Sequence, residues 1–509
     1  MVRVDGLNAD MISKYFVDKL VKIDMIISTT LSSITEPTIP PPLPPTLFTS
    51  FSTVTLSEAS HLILSLKKSS PVDVVPIFIL KSCNSVFSVL LMKLANCSFA
   101  AGKFPNAFKT AQITPLLKKP TLDPTDPASY RPISNLRSLG KLLERLAQAR
   151  LRPHIMASPG FSPLQSAYRP GYSTETAGLK IANDLFASTA SSTPSLLVSL
   201  DLSAAFDCVL HHKLLSRLSD DFGVSGSSLI WLQSYLTSRL QYVMLDNSRS
   251  QCCALLNGVP QGSVLGPLLF TAYVSPISRL IQLYGLSHHA YADDTTIFIG
   301  FDDKNLICKM LNDCTVALSS WFMFNGLILN PEKSDSMWVG SRSQLKTITN
   351  NQTDIKIAGV SISASNSLKI VGITFDSQLN FSEHISEICK VANFHLRGLS
   401  HIRRLLDVPT ANMLACSIVG SRLDYCNSLL SGISEHNMNR LQRVQNRAAK
   451  IVMNAKGRVS CSAYLRELHW LPVRKRVDYK VALITFKYLT AHQPAYFDNI
   501  LVPMLQVDH

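Results

Sequence analysis

No two of the eleven cysteines stand in C-x-x-C spacing and no Cys/His knuckle occurs, so neither a structural zinc site nor a regular disulfide framework is expected, and a reducing, intracellular compartment is the simpler reading. Long apolar runs are also missing. The most apolar early segment, VPIFILKSCNSVFSVLLMKLANCSF, is broken by Lys81, Asn84 and Lys93, short of the roughly 18–20 unbroken residues of a membrane span. The N-terminus carries acidic residues where a secretory signal would have its apolar core. No tandem repeat is visible, and acidic residues are outnumbered 49 to 35 by Lys and Arg, a net charge of +14 that suits a polyanionic partner without identifying one.

What is present reads as an α+β chain with enough apolar content for a sizeable core. An amphipathic helix is expected within residues 1–30, followed by EPTIPPPLPP, six prolines in ten residues, as an extended linker or surface strap. Helical periodicity begins at LSEASHLILSL and recurs in LGKLLERLAQARLRPHI, whose Lys, Arg and Glu residues read as its polar faces. AQITPLL, Leu196 to Leu200, RLQYVML and CCALLNG read as strands. Beyond about residue 380 helical signals dominate, and from Glu383 to Ile500 seventeen Lys/Arg face eight Asp/Glu. The expected domains are an N-terminal extension with a proline-rich linker (1–54), a central region (55–382, core motifs 109–376) and a basic helical region (383–509).

Asp201 directly follows the apolar run LLVSL, and Asp293 and Asp294 stand side by side in HAYADDTTIF. Taken alone, an Asp-Asp pair between short strands is ordinary turn chemistry. Carboxylates brought together from separate strand ends would repel one another unless a cation neutralised them, and magnesium commonly takes one or two protein carboxylates plus substrate phosphates. The residues themselves leave both readings open.

Seven segments in order, SYRPISNLRSLGKLLERL, LQSAYRPGYST, LDLSAAFDCVLHHKLLSRL, GVPQGSVLGPLLF, HAYADDTTIF, LILNPEKSD and VGITFD, together resemble the reverse transcriptases of non-long-terminal-repeat, LINE-like retrotransposons, in particular their jockey and chicken-repeat branch. The resemblance implies a right-hand polymerase: fingers and palm (antiparallel sheet with flanking helices) over 55–382, and a helical thumb with a further C-terminal region over 383–509. It implies that Asp201, Asp293 and Asp294 bind two magnesium ions, with manganese as a substitute, to activate a primer 3′-hydroxyl for attack on a deoxynucleoside triphosphate. Asp293 is expected to be the more indispensable of the pair. Phe206 would be the aromatic gate against a 2′-hydroxyl, Gln261 and Gly262 nucleotide contacts, and Arg131, Lys141 and Arg169 phosphate contacts. Lys333 would protonate the leaving pyrophosphate, and Asp207 would cap or orient the helix after it. VGITFD resembles the hairpin that supports the primer end. Trp470 reads as a packing anchor more than a base-stacking ring.

The implied partners are an RNA template, a DNA primer and deoxynucleotides, with no membrane. The implied function is RNA-directed DNA polymerase; the alternative is an inactive relic that at most binds nucleic acid. YADD and Phe206 speak against a viral-type RNA-directed RNA polymerase. SAYRPGYST and VLHH depart mildly from the family pattern. Residues 1–54 are too few for the endonuclease such elements carry, and a fragment of a larger reading frame is expected.

Overall fold

The computed structural model describes residues 7–190, 193–300, 303–348, 355–455, 460–498 and 500–501. The chain divides into two compact units, one formed by Met1–Ser162, Leu202–Leu283 and Val316–Asn330, the other by Pro163–Asp201, Tyr284–Thr315 and Pro331–His509. The fold class is the α+β expected, with mainly antiparallel strands among helices.

In the first unit, Thr110–Leu117 pairs antiparallel with Tyr130–Asn135 and parallel with Arg239–Leu245, which in turn pairs with Cys253–Leu255. The N-terminal helix Ala9–Leu31 starts at Asn8, whose side chain accepts from the Met11 amide at 2.8 Å, and it buries Ala9 and Ile12 against Ala111, Ile113 and Val243 of this sheet. The proline-rich stretch is a strap on the same unit: Arg279 donates to the Pro40 carbonyl at 3.0 Å, and the Thr46 carbonyl lies so near Gly223 that a Cβ there would stand 2.3 Å from it.

Helix Ser138–Ala157 corrects one expectation. Glu144 is fully buried, accepting from the Val264 amide at 2.7 Å, the Leu265 amide at 3.1 Å and the Tyr235 hydroxyl at 3.2 Å. A carboxylate survives there because those donors replace water, although burial still pushes its pKa up.

In the second unit a five-stranded sheet runs Ala364–Ser365, Asp335–Val339, Ser195–Leu200, Asp294–Gly300, Ser287–Tyr291. Its central strand is buried at every position but Ser199, which explains why SLLVSL is an apolar run rather than an alternation. Helix Thr174–Ala190 covers it with Ile181 and Leu185 against Leu197, Phe298 and Met337. A separate hairpin, Ser367–Ile370 with Ile373–Asp376, packs on the same core, as do helices Ser382–Ile402 and Glu435–Val452. Trp470 packs at the edge of this helical core and donates from Nε1 to Asn412 at 3.1 Å, an anchor as expected. Among the described residues no helix is long and apolar enough to cross a membrane, and all eleven cysteines are free thiols.

Candidate active site

The strand ladder itself brings the carboxylates together. Ser195–Leu200 pairs antiparallel with Asp294–Gly300 so that Leu200 faces Thr295; one step further along this register, Asp201 falls opposite Asp294. On the other side Ser199 faces Asp335, where that ladder ends, and Lys333 closes the short 3-10 turn Pro331–Lys333 just before the strand. Residues directly opposite in an antiparallel ladder share a face, so the register brings Asp201 and Asp294 together. Lys333 indeed donates from Nζ to Asp201 Oδ2 at 3.4 Å, and the Asp201 amide donates to Ser334 Oγ at 3.3 Å. Lys333 is 66% exposed, so this pair contributes at most about 1 kcal/mol to stability.

Asp293 sits at the tip of the hairpin closed by Tyr291 and Asp294. Asp294 keeps an exposed surface, yet protein packs around its carboxylate, and burial together with repulsion from Asp293 and Asp201 pushes its pKa up to about 6, Lys333 opposing.

The turn that carries Asp293 is strained. Ala292 has φ +59°, a left-handed conformation costing an alanine about 1–2 kcal/mol. Gln165, 1% exposed, is built around it: Oε1 accepts from the Ala292 amide at 2.9 Å and the Ala167 amide at 3.0 Å, while Nε2 donates to the Ala292 carbonyl at 3.2 Å. The two bonds to Ala292, at about 1 kcal/mol each, are enough to offset the strain. The backbone around Gln165 is bonded to the same strand, with Ser166 N donating to Ala290 O at 2.9 Å and Ala290 N to Leu164 O at 3.0 Å. Tyr168, also at positive φ (+62°), exposes its ring; burial and then the charge of Asp293 hold its phenol above the ordinary value. Neither Gln165 nor Tyr168 was picked out by sequence. The signal was the segment LQSAYR itself, read only as a motif.

Arg169 is braced rather than presented: it donates to the Pro163 and Gln165 carbonyls at 3.1 Å each, and its guanidinium lies 3.9 Å over the Tyr172 ring. Among the described residues no group of three His, Cys, Asp or Glu side chains forms a ready metal cage. The donors present are hard carboxylate oxygens under mutual repulsion, a set that fits a divalent cation completed by phosphate and water oxygens.

The other expected residues lie in the first unit. The Phe206 ring stacks on Phe270 with centroids 4.5 Å apart, and its carbonyl accepts from the Val259 amide at 2.8 Å. Asp207 does not cap the following helix His211–Asp220, whose N-cap is Leu210 with no side-chain bond; instead it accepts from Gln261 Nε2 at 2.7 Å. Burial pushes the Asp207 pKa up to about 6 against that bond. Gln261 is thereby fixed at both ends, its carbonyl accepting from Ser134 N at 2.8 Å. Gly262 (φ +121°) and Gly258 (φ +84°) approach the Ser134 and Asp207 carbonyls so closely that a Cβ would stand 2.6 Å away in each case. Arg131 is exposed on Tyr130–Asn135, and Lys141 is half-buried in the first turn of Ser138–Ala157.

Residues 117–375, about half of the chain, match the family described as reverse transcriptase (RNA-dependent DNA polymerase). The chain is similar to the probable RNA-directed DNA polymerase from transposon BS of Drosophila melanogaster, 27% identical over 82% of this chain and 46% of that protein. It is also similar to the RNA-directed DNA polymerase from mobile element jockey of the same organism, 28% identical over 66% of this chain and 37% of the relative. The chain thus spans less than half the length of these curated relatives. Apo telomerase from Candida tropicalis aligns over 75% of this chain and 69% of its own at 12% identity, with a TM-score of 0.39, too loose a likeness to carry an argument.

Proposed function

Since this chain belongs to the reverse transcriptase (RNA-dependent DNA polymerase) family, whose members depend on divalent metal, we propose that it is itself an RNA-directed DNA polymerase of a non-long-terminal-repeat retrotransposon, extending a DNA primer on an RNA template. The observation that carries the reading is the ladder register that sets Asp201 opposite Asp294 beside the tip residue Asp293, where burial and then repulsion from those two carboxylates lift Asp294 to about 6.

Asp201, Asp293 and Asp294 would hold two magnesium ions, for which manganese substitutes. When bound, the cations acidify the primer 3′-hydroxyl and neutralise charge on the triphosphate. Asp294, whose carboxyl keeps its proton up to about pH 6, is the weaker ligand, and Asp293 the less dispensable of the two. Lys333 carries N–H donors beside Asp201, where Nζ can deliver a proton to departing pyrophosphate. Phe206, stiffened by its stack on Phe270, excludes a 2′-hydroxyl by size. Gln261, locked by Asp207 and Ser134, and Gly262 meet the nucleotide through backbone and amide, while Arg131 and Lys141 supply charge for phosphates. Arg169, with donors committed to two carbonyls, orients its own segment instead. The region 55–382 corresponds to fingers and palm. The basic helices of 383–509 form the thumb region that follows template and primer backbones by charge.

The test is incorporation of dTTP on poly(rA)/oligo(dT) with magnesium by the full chain. Monodisperse, folded protein that incorporates nothing would leave only the nucleic-acid-binding alternative. Phe206→Val should raise the use of UTP relative to dTTP by about tenfold or more; an unchanged ratio removes Phe206 from sugar selection.

A further inference from the structure

We propose that Gln165 is the positioning residue of the carboxylate hairpin: its buried amide holds Ala292 in the left-handed conformation that aims Asp293 and Asp294. The inference rests on the polymerase reading for its kinetic consequence, but not for its structural content. Both polar backbone groups of Ala292 are engaged by this one side chain, and the amide that accepts from Ala292 also accepts from Ala167, which ties the turn to the segment running beside Ser287–Tyr291. An alanine at φ +59° relaxes readily to negative φ once those bonds are gone. A turn of this kind with Ala292 relaxed would redirect the next peptide, and with it Asp293.

An ordinary buried glutamine that merely joins two segments would stabilise the fold without distinguishing this turn. The two roles separate in a double-mutant cycle of Gln165→Met, which keeps the side-chain length and removes the amide, with Ala292→Gly, which removes the steric cost of positive φ. Gln165→Met should lower kcat for dTTP by about tenfold or more with KM changed less than about twofold, because a misaimed ligand costs chemistry rather than binding. In the Ala292→Gly background the same change should cost about threefold or less, since glycine holds the turn with little help. A kcat within twofold of wild type in Gln165→Met, or an equal loss in both backgrounds, overturns the proposal.

Hydrogen exchange on the 509-residue chain keeps the test independent of activity. The Ala292 amide should exchange slowly in the wild type and at least about tenfold faster in Gln165→Met, with the flanking strand amides of Asp294–Gly300 unchanged. Equal exchange at Ala292 in the two proteins overturns the clamp even if the enzyme is active. Wild type without incorporation but with the exchange difference leaves the clamp standing and removes the polymerase reading.

Discussion

Two hairpins of the second unit have turns of the same length and are held in different ways. In one, Ala292 and Asp293 join Ser287–Tyr291 to Asp294–Gly300; in the other, Val371 and Gly372 join Ser367–Ile370 to Ile373–Asp376. The second turn has positive φ at both positions (+44° and +84°), the geometry that best matches strand twist; the Tyr425 hydroxyl donates to the Val371 carbonyl at 2.6 Å, and the Val371 side chain packs against the core. The first has its strain at one alanine, which a fully buried amide holds through two bonds while accepting a third from the Ala167 amide. Strain that is closed in by buried polar bonds marks a turn whose direction matters. Strain met by one exposed phenol marks a turn that only has to close.

Changes at the two tips should separate accordingly. Asp294→Asn should lower incorporation by about tenfold to a hundredfold, since it removes one ligand oxygen and its charge. The same change carries a pH signature. The folded pKa of Asp294, about 6, exceeds the ordinary 3.8, so the folded state holds more protons between those values and the wild type loses stability as pH rises through that window. Asp294→Asn should therefore melt higher than wild type at pH 7–8 in the absence of magnesium. The gain is on the order of 1 kcal/mol once screening at this partly exposed site is allowed for, and it fades below about pH 4. A melting difference that does not vary with pH would show that the folded carboxyl of Asp294 is not raised above its ordinary range. At the other hairpin, Tyr425→Phe should leave incorporation within about twofold and cost at most about 1 kcal/mol of stability. A tenfold loss of activity there would erase the contrast between the turns.

Much of this was legible in the sequence because the ladder is written in it. The apolar run before Asp201 and the β-rich segment after Asp294 give two strands whose ends carry the site, while the third, Asp335–Val339, was not read as a strand. What stayed hidden are polar groups whose partners are distant in the chain. Gln165 acts on a residue 127 positions away, and Glu144, which looked like part of a solvated helix face, is buried against amides 120 and 121 positions on. Periodicity reports which face of an element is apolar; it says nothing about a carboxylate or amide that enters the core because backbone donors wait there. Asp207 failed as a cap for the same reason, its partner Gln261 lying 54 residues downstream.

The polymerase mechanism stands or falls on Asp293. Incorporation of dTTP on poly(rA)/oligo(dT) with magnesium, compared between the unmodified chain and Asp293→Asn at matched folded concentration, should be robust in the first and reduced by about a thousandfold or more in the second. Incorporation by Asp293→Asn within tenfold of the wild type would contradict it.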